Sequence, residues 1–439
     1  MAFHHNTWTR RHFIASVGVS ATVMGAAMTF ANTALTTDSS KTLSIVVVGA
    51  GLAGLAAINR LKKALPNAKL TLIDENTTHR YQPGYTLLAT GVWHSTEKVL
   101  DDNASLVPEG VEWIPANAQA FYPDRNQVLT TSNQVIPYDY LVVATGLRLG
   151  YEQIEGLTAN DLGKNGIGSV YANPEVAMAT WTQMQAFCEK GGNALMTLAS
   201  TDMKCAGAPL KMTFMLYDRL RQAGTLDKSN IDFFSPVKQV FSVPKVNERV
   251  LNLWQNFQPA IEVTFDRLLT GVDVASKKAY FIDPQGQRYE QSYDFLHVVP
   301  PMFAVESVKN SELANEVGWL DVDKYTLQHK RYPNVFGLGD INGVPKGKTA
   351  ATVKLSAPVM VSNLLSVIKG EPPTQRSNGY TSCPLLVEEG KAMLVEFDYE
   401  NNLTPTVPFV DPLQESYFAW FLEEMMLKPA YMAVAKGRV

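Results

Sequence analysis

Leu43-Ser44-Ile45-Val46-Val47-Val48-Gly49-Ala50-Gly51-Leu52-Ala53-Gly54 decides the fold. An apolar, β-branched run of strand length ends in glycines spaced G-x-G-x-x-G, and an amphipathic helical pattern opens on them. The glycines permit a tight turn, close approach of backbone to a pyrophosphate, and close packing of helix on strand. The helix N-terminus meanwhile offers unpaired N–H groups to negative charge. About twenty residues beyond Gly54 a second apolar strand, 69–73, ends at Asp74, the acid expected at a ribose hydroxyl. Strand, glycines, helix, strand and acid together predict a dinucleotide-binding βαβ unit, with Gly49, Ala50, Gly51 and Gly54 at the pyrophosphate and Asp74 at the ribose.

Which dinucleotide this is depends on two later stretches. Tyr138-Asp139-Tyr140-Leu141-Val142-Val143-Ala144-Thr145-Gly146 is a strand running into an Ala-Thr-Gly turn, and Asn334-Val335-Phe336-Gly337-Leu338-Gly339-Asp340 is a strand ending in an acid. Both resemble flavoproteins built from two dinucleotide-binding domains, and that resemblance implies FAD, with Thr145 and Gly146 beside it and Asp340 on its ribityl side. Where NAD(P)H-dependent members of that superfamily carry a second glycine fingerprint, this chain has an apolar strand, 194–199, and then Lys204-Cys205-Ala206-Gly207-Ala208-Pro209-Leu210-Lys211. A pyrophosphate would lose its backbone cradle there, so electrons are not expected to arrive from a nicotinamide. Cys205 precedes a helical pattern (Met212, Met215, Leu216, Leu220) and is flanked by two lysines. Helix dipole and lysines favour a thiolate; the competing reading is a small buried hydrophobe.

The whole chain fits a multidomain α/β protein. Its 439 residues, 46% of them hydrophobic, suffice for two or three domains, and a net charge of -4 provides no basic field for nucleic acid. Three cysteines, Cys188, Cys205 and Cys383, exclude a disulfide-stapled scaffold. Cys188 shares an apparent helical face with Trp181 and Met184 and reads as a buried structural thiol. At the N-terminus Arg10-Arg11 precedes an apolar, small-residue stretch, 15–31, too short and too weakly apolar for a membrane span. Residues 1–36 read as a twin-arginine export signal, which predicts the periplasmic face of a bacterial inner membrane.

Several long stretches carry a more specific resemblance: His79-Arg80-Tyr81-Gln82-Pro83, Lys204 to Pro209, His297-Val298-Val299-Pro300-Pro301-Met302, Gly318-Trp319-Leu320-Asp321, Lys348-Thr349-Ala350-Ala351, Tyr380-Thr381-Ser382-Cys383-Pro384 and Glu396-Phe397-Asp398-Tyr399. From Leu43 to the C-terminus the sequence resembles the sulfide:quinone oxidoreductases, close to their mitochondrial-type branch. The resemblance implies FAD as the cofactor and no metal, with a redox pair of Cys205 and Cys383 on one face of the flavin and a ubiquinone-type quinone on the other. It further implies a monotopic hold on the membrane. Some branches carry a third cysteine ahead of the active one, where this chain has Tyr171. By the same resemblance Gln82 meets the flavin's polar parts, Ala118 passes beside adenine, Lys348 offers charge to the flavin's pyrimidine edge, and Lys211 holds anionic sulfur. A solvated surface lysine is the alternative for Lys211. Phe397 and Tyr399 are candidates for the quinone slot on a strand expected at 391–399, where plain core is the competing reading.

The implied chemistry is attack of hydrosulfide on a Cys205–Cys383 disulfide, leaving a persulfide and a thiolate, with the electron pair passing through FAD to quinone and the sulfur to a small-molecule acceptor. The tail 416–427 is aromatic-rich and shorter than a span, with Pro429 expected to break it, and reads as lying in the membrane interface. Glu415, Glu423 and Glu424 do not suit an anionic lipid surface, so packing on its own domain or on a partner subunit competes. The expected organisation is two Rossmann-like domains and a membrane-associating end. A split FAD domain covers 41–150 and 305–370, a second domain with Cys205 covers 151–304, and 371–439 supplies Cys383 and the membrane helices. Rival readings are the flavoprotein subunit of a flavocytochrome c sulfide dehydrogenase, a type II NADH:quinone reductase, and a non-enzymatic sulfur-binding flavoprotein.

Overall fold

The computed structural model describes residues 42–439, so the twin-arginine segment lies outside the described residues. In chain order the elements that position the site begin with β1 (Ser44–Val48), α1 (Leu52–Ala64), β2 (Lys69–Ile73), β3 (Glu112–Ile114) and β4 (Tyr140–Val143). Next come β5 (Ile167–Gly168), α2 (Pro174–Lys190), β6 (Gly192–Thr197), α3 (Ala208–Ala223), β7 (Ser229–Phe234), β8 (Glu262–Thr264) and β9 (Phe295–His297). The chain finishes with β10 (Val335–Gly337), α4 (Ala350–Ile368), β11 (Thr381–Glu388), β12 (Lys391–Phe397), α5 (Tyr417–Phe421) and α6 (Leu427–Ala435).

Two five-stranded parallel sheets form the framework. The first has the order β10-β4-β1-β2-β3 and the second β5-β9-β6-β7-β8. Parallel sheets are covered on both faces, which explains why β1 is apolar throughout rather than alternating. Ile45 and Val47 enter the core shared with α1 and α4, whereas Val46 and Val48 enter a second core with Trp319 and Leu320 on the opposite face. β10 returns from almost two hundred residues downstream to pair with β4, setting Val335 opposite Leu141 and Gly337 opposite Val143. That return places the loop after β10 beside the glycine turn after β1: a Cβ at Gly339 would press on the Ala53 side chain.

β11 and β12 form an antiparallel hairpin lying on α3, and α5 packs on that hairpin. α6 then crosses to α1. It is fastened there by the Asn59 side-chain amide donating to the Ala435 carbonyl (3.1 Å), Lys63 to the Gly437 carbonyl (2.6 Å), and a Lys428–Asp101 ion pair at 3.0 Å. Pro429 does not end the helix as the sequence suggested. It falls in the first turn of α6, directly after a π-helical turn over Leu422–Met426, where a missing N–H costs least. The strand expected at 391–399 stops at Phe397. α4 is the one helix among the described residues long and apolar enough to cross a bilayer. Its Val353, Ala357, Met360 and Leu364 are nevertheless part of the core.

Because β10 closes the first sheet and Phe336 is fully buried in its middle, Phe336→Ala is expected to cost about 3–5 kcal/mol. Urea unfolding of the purified protein measures this.

Candidate active site

The cysteine turn follows β6. Cys205 has φ +47°, a left-handed backbone conformation that non-glycine residues adopt at a cost. Three hydrogen bonds, two of them from distant parts of the chain, hold it there. The Cys205 N–H donates to the Lys348 carbonyl (3.0 Å), and its own carbonyl accepts from the Ala208 N–H (2.8 Å) and from the Tyr171 hydroxyl (3.1 Å). Tyr171 therefore braces the backbone of Cys205. Its value was not readable from sequence, because a tyrosine after a short strand looks like core.

Cys383 reaches the same place from β11, whose pairing with β12 sets it opposite Val395. The neighbouring Gly207 leaves room for it, since a Cβ there would collide with Cys383 Sγ and with Leu385. Cys205 and Cys383 meet at this turn. Interaction with Cys383 draws the Cys205 thiol below its ordinary value; burial opposes the shift and the Lys211 ammonium supports it. The same interaction, then burial, holds Cys383 well above its ordinary value. Cys188 lies apart, buried in α2 with its thiol pushed up to about 12 by burial, as a structural thiol should be.

Lys211 is 2% exposed, which overturns the surface reading. Its Nζ lies 2.7 Å from Glu423 Oε1 in the π turn. Burial works against the ammonium, yet the Glu423 carboxylate, with the two cysteines behind it, raises its pKa above the ordinary lysine value. None of the three acidic residues that argued against a membrane-facing tail is free. Glu423 pairs with Lys211, Glu415 with Arg249 (2.8 Å), and Glu424 accepts from the Trp420 indole N–H (2.8 Å).

A cleft opens at the C-terminal ends of β1, β2 and β4. A cavity of about 390 Å³ is lined by Gly49, Asp74, Asn117, Ala118 and Thr145. Gly49 has φ +106°, and a Cβ on it would strike the Ala144 carbonyl; a Cβ on Gly54 would strike the Gly49 carbonyl. Gly51 differs, since a Cβ there would meet nothing but the open cleft. The N-terminus of α1 has no side-chain cap, and Thr145 Oγ1 is buried without a partner. Gly146, with φ +70°, likewise fronts open space. An open glycine turn, an uncapped helix start and an orphaned hydroxyl fit a dinucleotide pyrophosphate. Asp74 also lines the cleft, against the glycine turn, where its carboxylate accepts from the Ala50 N–H (2.6 Å) and from the backbone and side chain of Asn76 (2.7 and 2.9 Å).

Three more charged residues lie around the cysteine turn. Lys204 donates from Nζ to the Gln82 side-chain oxygen at 2.7 Å. Asp340 has its carboxyl raised by burial, against the lowering influence of Lys204 and Lys348. Lys348 departs from expectation: its ammonium donates to the Asp340 and Asn342 carbonyls (2.7 and 3.0 Å) and lies 3.6 Å from the Trp319 ring centre. It braces the turn after β10, and burial brings its pKa down to about 8. Phe397 and Tyr399 do not share one slot. Phe397 sits in the core with Phe241, while Tyr399 joins the opposite core and donates its hydroxyl to the Lys324 carbonyl (3.0 Å). The strand ends between them, so the alternation that would have aligned them is lost.

Two measurements check this geometry. In the reduced protein Cys205 is expected to alkylate with a midpoint below the ordinary thiol value of about 8.5, and Cys383 well above it, by peptide mapping of iodoacetamide labelling. Gly207→Ala, which drives a methyl group into Cys383, is expected to prevent formation of a Cys205–Cys383 disulfide on mild oxidation.

The family Pyridine nucleotide-disulphide oxidoreductase matches residues 43–183. A mitochondrial sulfide:quinone oxidoreductase of Dictyostelium discoideum is 37% identical over 397 residues, covering 90% of this chain and 86% of that one. A type II NADH:quinone oxidoreductase of Staphylococcus aureus reaches 22% over 74% of this chain and 83% of that one. Among solved structures, the sulfide:quinone oxidoreductase from Aquifex aeolicus superposes with a TM-score of 0.73 at 22% identity, over 90% of this chain and 92% of that one, and so shares the fold. By its identity to the Dictyostelium enzyme over nearly all of both chains, this chain belongs to the sulfide:quinone oxidoreductase family.

Proposed function

We propose that the protein oxidises hydrogen sulfide at the Cys205–Cys383 pair and passes the electrons through FAD to a membrane quinone. The observation that carries this reading is the meeting of two cysteines, 178 positions apart in the chain, near a buried lysine, in a molecule that also holds an open dinucleotide cleft. Hydrosulfide attacks the oxidised pair. The Cys205–Cys383 S–S bond breaks, a new S–S bond forms on one cysteine as a persulfide, and the other cysteine leaves as a thiolate. Two electrons have then moved from sulfide sulfur into the pair. Cys205, the more acidic thiol, and Lys211, a buried cation, are suited to hold the anionic sulfur through this exchange. FAD, when bound, accepts an electron pair and hands it on to quinone. Gly49, Ala50, Gly51 and Gly54 would hold its pyrophosphate, Asp74 and Ala118 its adenosine end, and Thr145, Gly146, Gln82 and Asp340 the remainder. Lys348 contributes through the turn it braces. Phe397 is retained as a candidate quinone contact, and the persulfide sulfur goes to a small-molecule acceptor.

The reading assigns FAD to 41–150 and 305–370, the Cys205 helix to 151–304, and Cys383 with the membrane contact to 371–439. The absence of a glycine fingerprint at the turn after β6, where Cys205 sits instead, argues against NADH as the electron source. Around the tail, Phe409, Tyr417, Phe418, Met425 and Met426 are exposed, and such a surface suits shallow burial in a lipid interface. Arg10-Arg11 supports export to the periplasmic side by the twin-arginine route.

Anaerobic sulfide is expected to bleach the flavin of the purified holoenzyme, with reoxidation by a ubiquinone analogue and no bleaching by NADH. Cys205→Ser and Cys383→Ser should each abolish the bleaching, and a variant that bleaches at the parent rate overturns the reading. Replacing Phe418 and Met425 together by Glu is expected to lower co-sedimentation with phosphatidylcholine vesicles at least several-fold while leaving sulfide bleaching intact.

A further inference from the structure

The C-terminal segment does more than cover the molecule. Glu423 reaches the cysteine site from a π turn, a helical irregularity that re-aims side chains and is frequent at functional positions. Both members of its ion pair with Lys211 are at most 3% exposed. A buried pair of this kind is a poor way to stabilise a fold, because desolvation offsets most of the attraction. Nor is this one a fully satisfied lock: Glu423 Oε2 is buried with no hydrogen-bond partner. What the pair does achieve is to keep buried a charged ammonium whose field acts on both cysteines.

We infer that Glu423 is a positioning residue for Lys211: carried by the C-terminal segment, it holds the ammonium charged and turned toward Cys205 and Cys383. This rests on the cysteine pair being the reactive site, as proposed above. The cysteine site is on this account incomplete without the segment that also bears the exposed apolar patch. Other titratable or charged groups facing Cys205 and Lys211 are Cys383 on β11, Tyr81 ahead of Gln82, Tyr171 after β5, Asp340 after β10, and Lys204 in the cysteine turn itself. Lys204 donates to Gln82 and the two phenols are neutral, and Lys211, held by Glu423, is the cation whose charge lowers Cys205.

The sign of one measurement separates positioning from mere proximity. A carboxylate that only lay nearby would repel a thiolate, and its removal would make Cys205 more acidic. A carboxylate that positions Lys211 has the opposite effect. Without its counter-charge the buried ammonium gives up its proton or turns away, and Cys205 loses its cation. Iodoacetamide labelling of the reduced holoenzyme across pH, read at Cys205 by peptide mapping, is therefore expected to shift to higher pH in Glu423→Gln. The shift should be about one unit, a roughly tenfold loss of rate below the midpoint. Glu423→Asp should return part of the shift. Lys211→Met should raise the midpoint as well, and adding Glu423→Gln to it should raise it no further. A Glu423→Gln midpoint that stays or falls, or a double variant above Lys211→Met, overturns the inference. Retained flavin absorbance in each variant shows that the fold is intact. Failure of sulfide bleaching in the parent would instead bear on the proposed activity, since labelling involves no sulfide.

Discussion

Everything at this site depends on the left-handed backbone at Cys205. A residue with a Cβ is strained there, and the strain persists because three bonds from three regions converge on it: the Lys348 carbonyl, the Tyr171 hydroxyl and the first N–H of α3. The turn so fixed aims Cys205 at Cys383 and brings Gly207 under the second sulfur, where only a residue without a side chain leaves room. Two thiols in contact cannot both ionise readily, so the contact that allows a disulfide also divides the acidities between Cys205 and Cys383.

The framework around this turn is a familiar solution used for two purposes. In the first sheet the glycine turn after β1 leaves an open cradle, with an uncapped helix and an orphaned threonine hydroxyl. In the second sheet the equivalent strand-to-helix turn, between β6 and α3, carries Lys204, Cys205 and a single glycine, Gly207, instead of a glycine fingerprint. The same geometry that in one sheet suits a pyrophosphate suits, in the other, a thiolate, since both exploit the positive end of a helix. The returning strand β10 brings Asp340 and Lys348 between the two, which is how the cysteine backbone comes to be anchored on the cofactor side of the molecule.

The C-terminal segment ties these parts together at a cost. It sets buried charge beside the hairpin, Lys211 against Glu423, and reaches α1 through α6, where Tyr431 contacts His79 at 2.9 Å. Apolar side chains would have packed as well or better there.

The sequence by itself determined the fold class, the dinucleotide fingerprint, the strand-to-helix placement of Cys205 and, through long matching stretches, the family. These are local properties: strand and helix periods, glycine spacing and motif identity are written in consecutive residues. Only the tertiary structure decided who meets whom. Lys211 and Glu423 stand 212 residues apart, Tyr171 and Cys205 are 34 apart, and nothing in either neighbourhood names its partner. Lys348 carries the charge its motif promised but spends it on backbone carbonyls and an indole face, and Pro429 fits where a π turn, invisible to periodicity, makes room for it. Hydrophobic pattern records which face of an element is buried. It does not record against what, because pairing of charges and close approach of backbones are settled by long-range contacts that form only when the chain has folded.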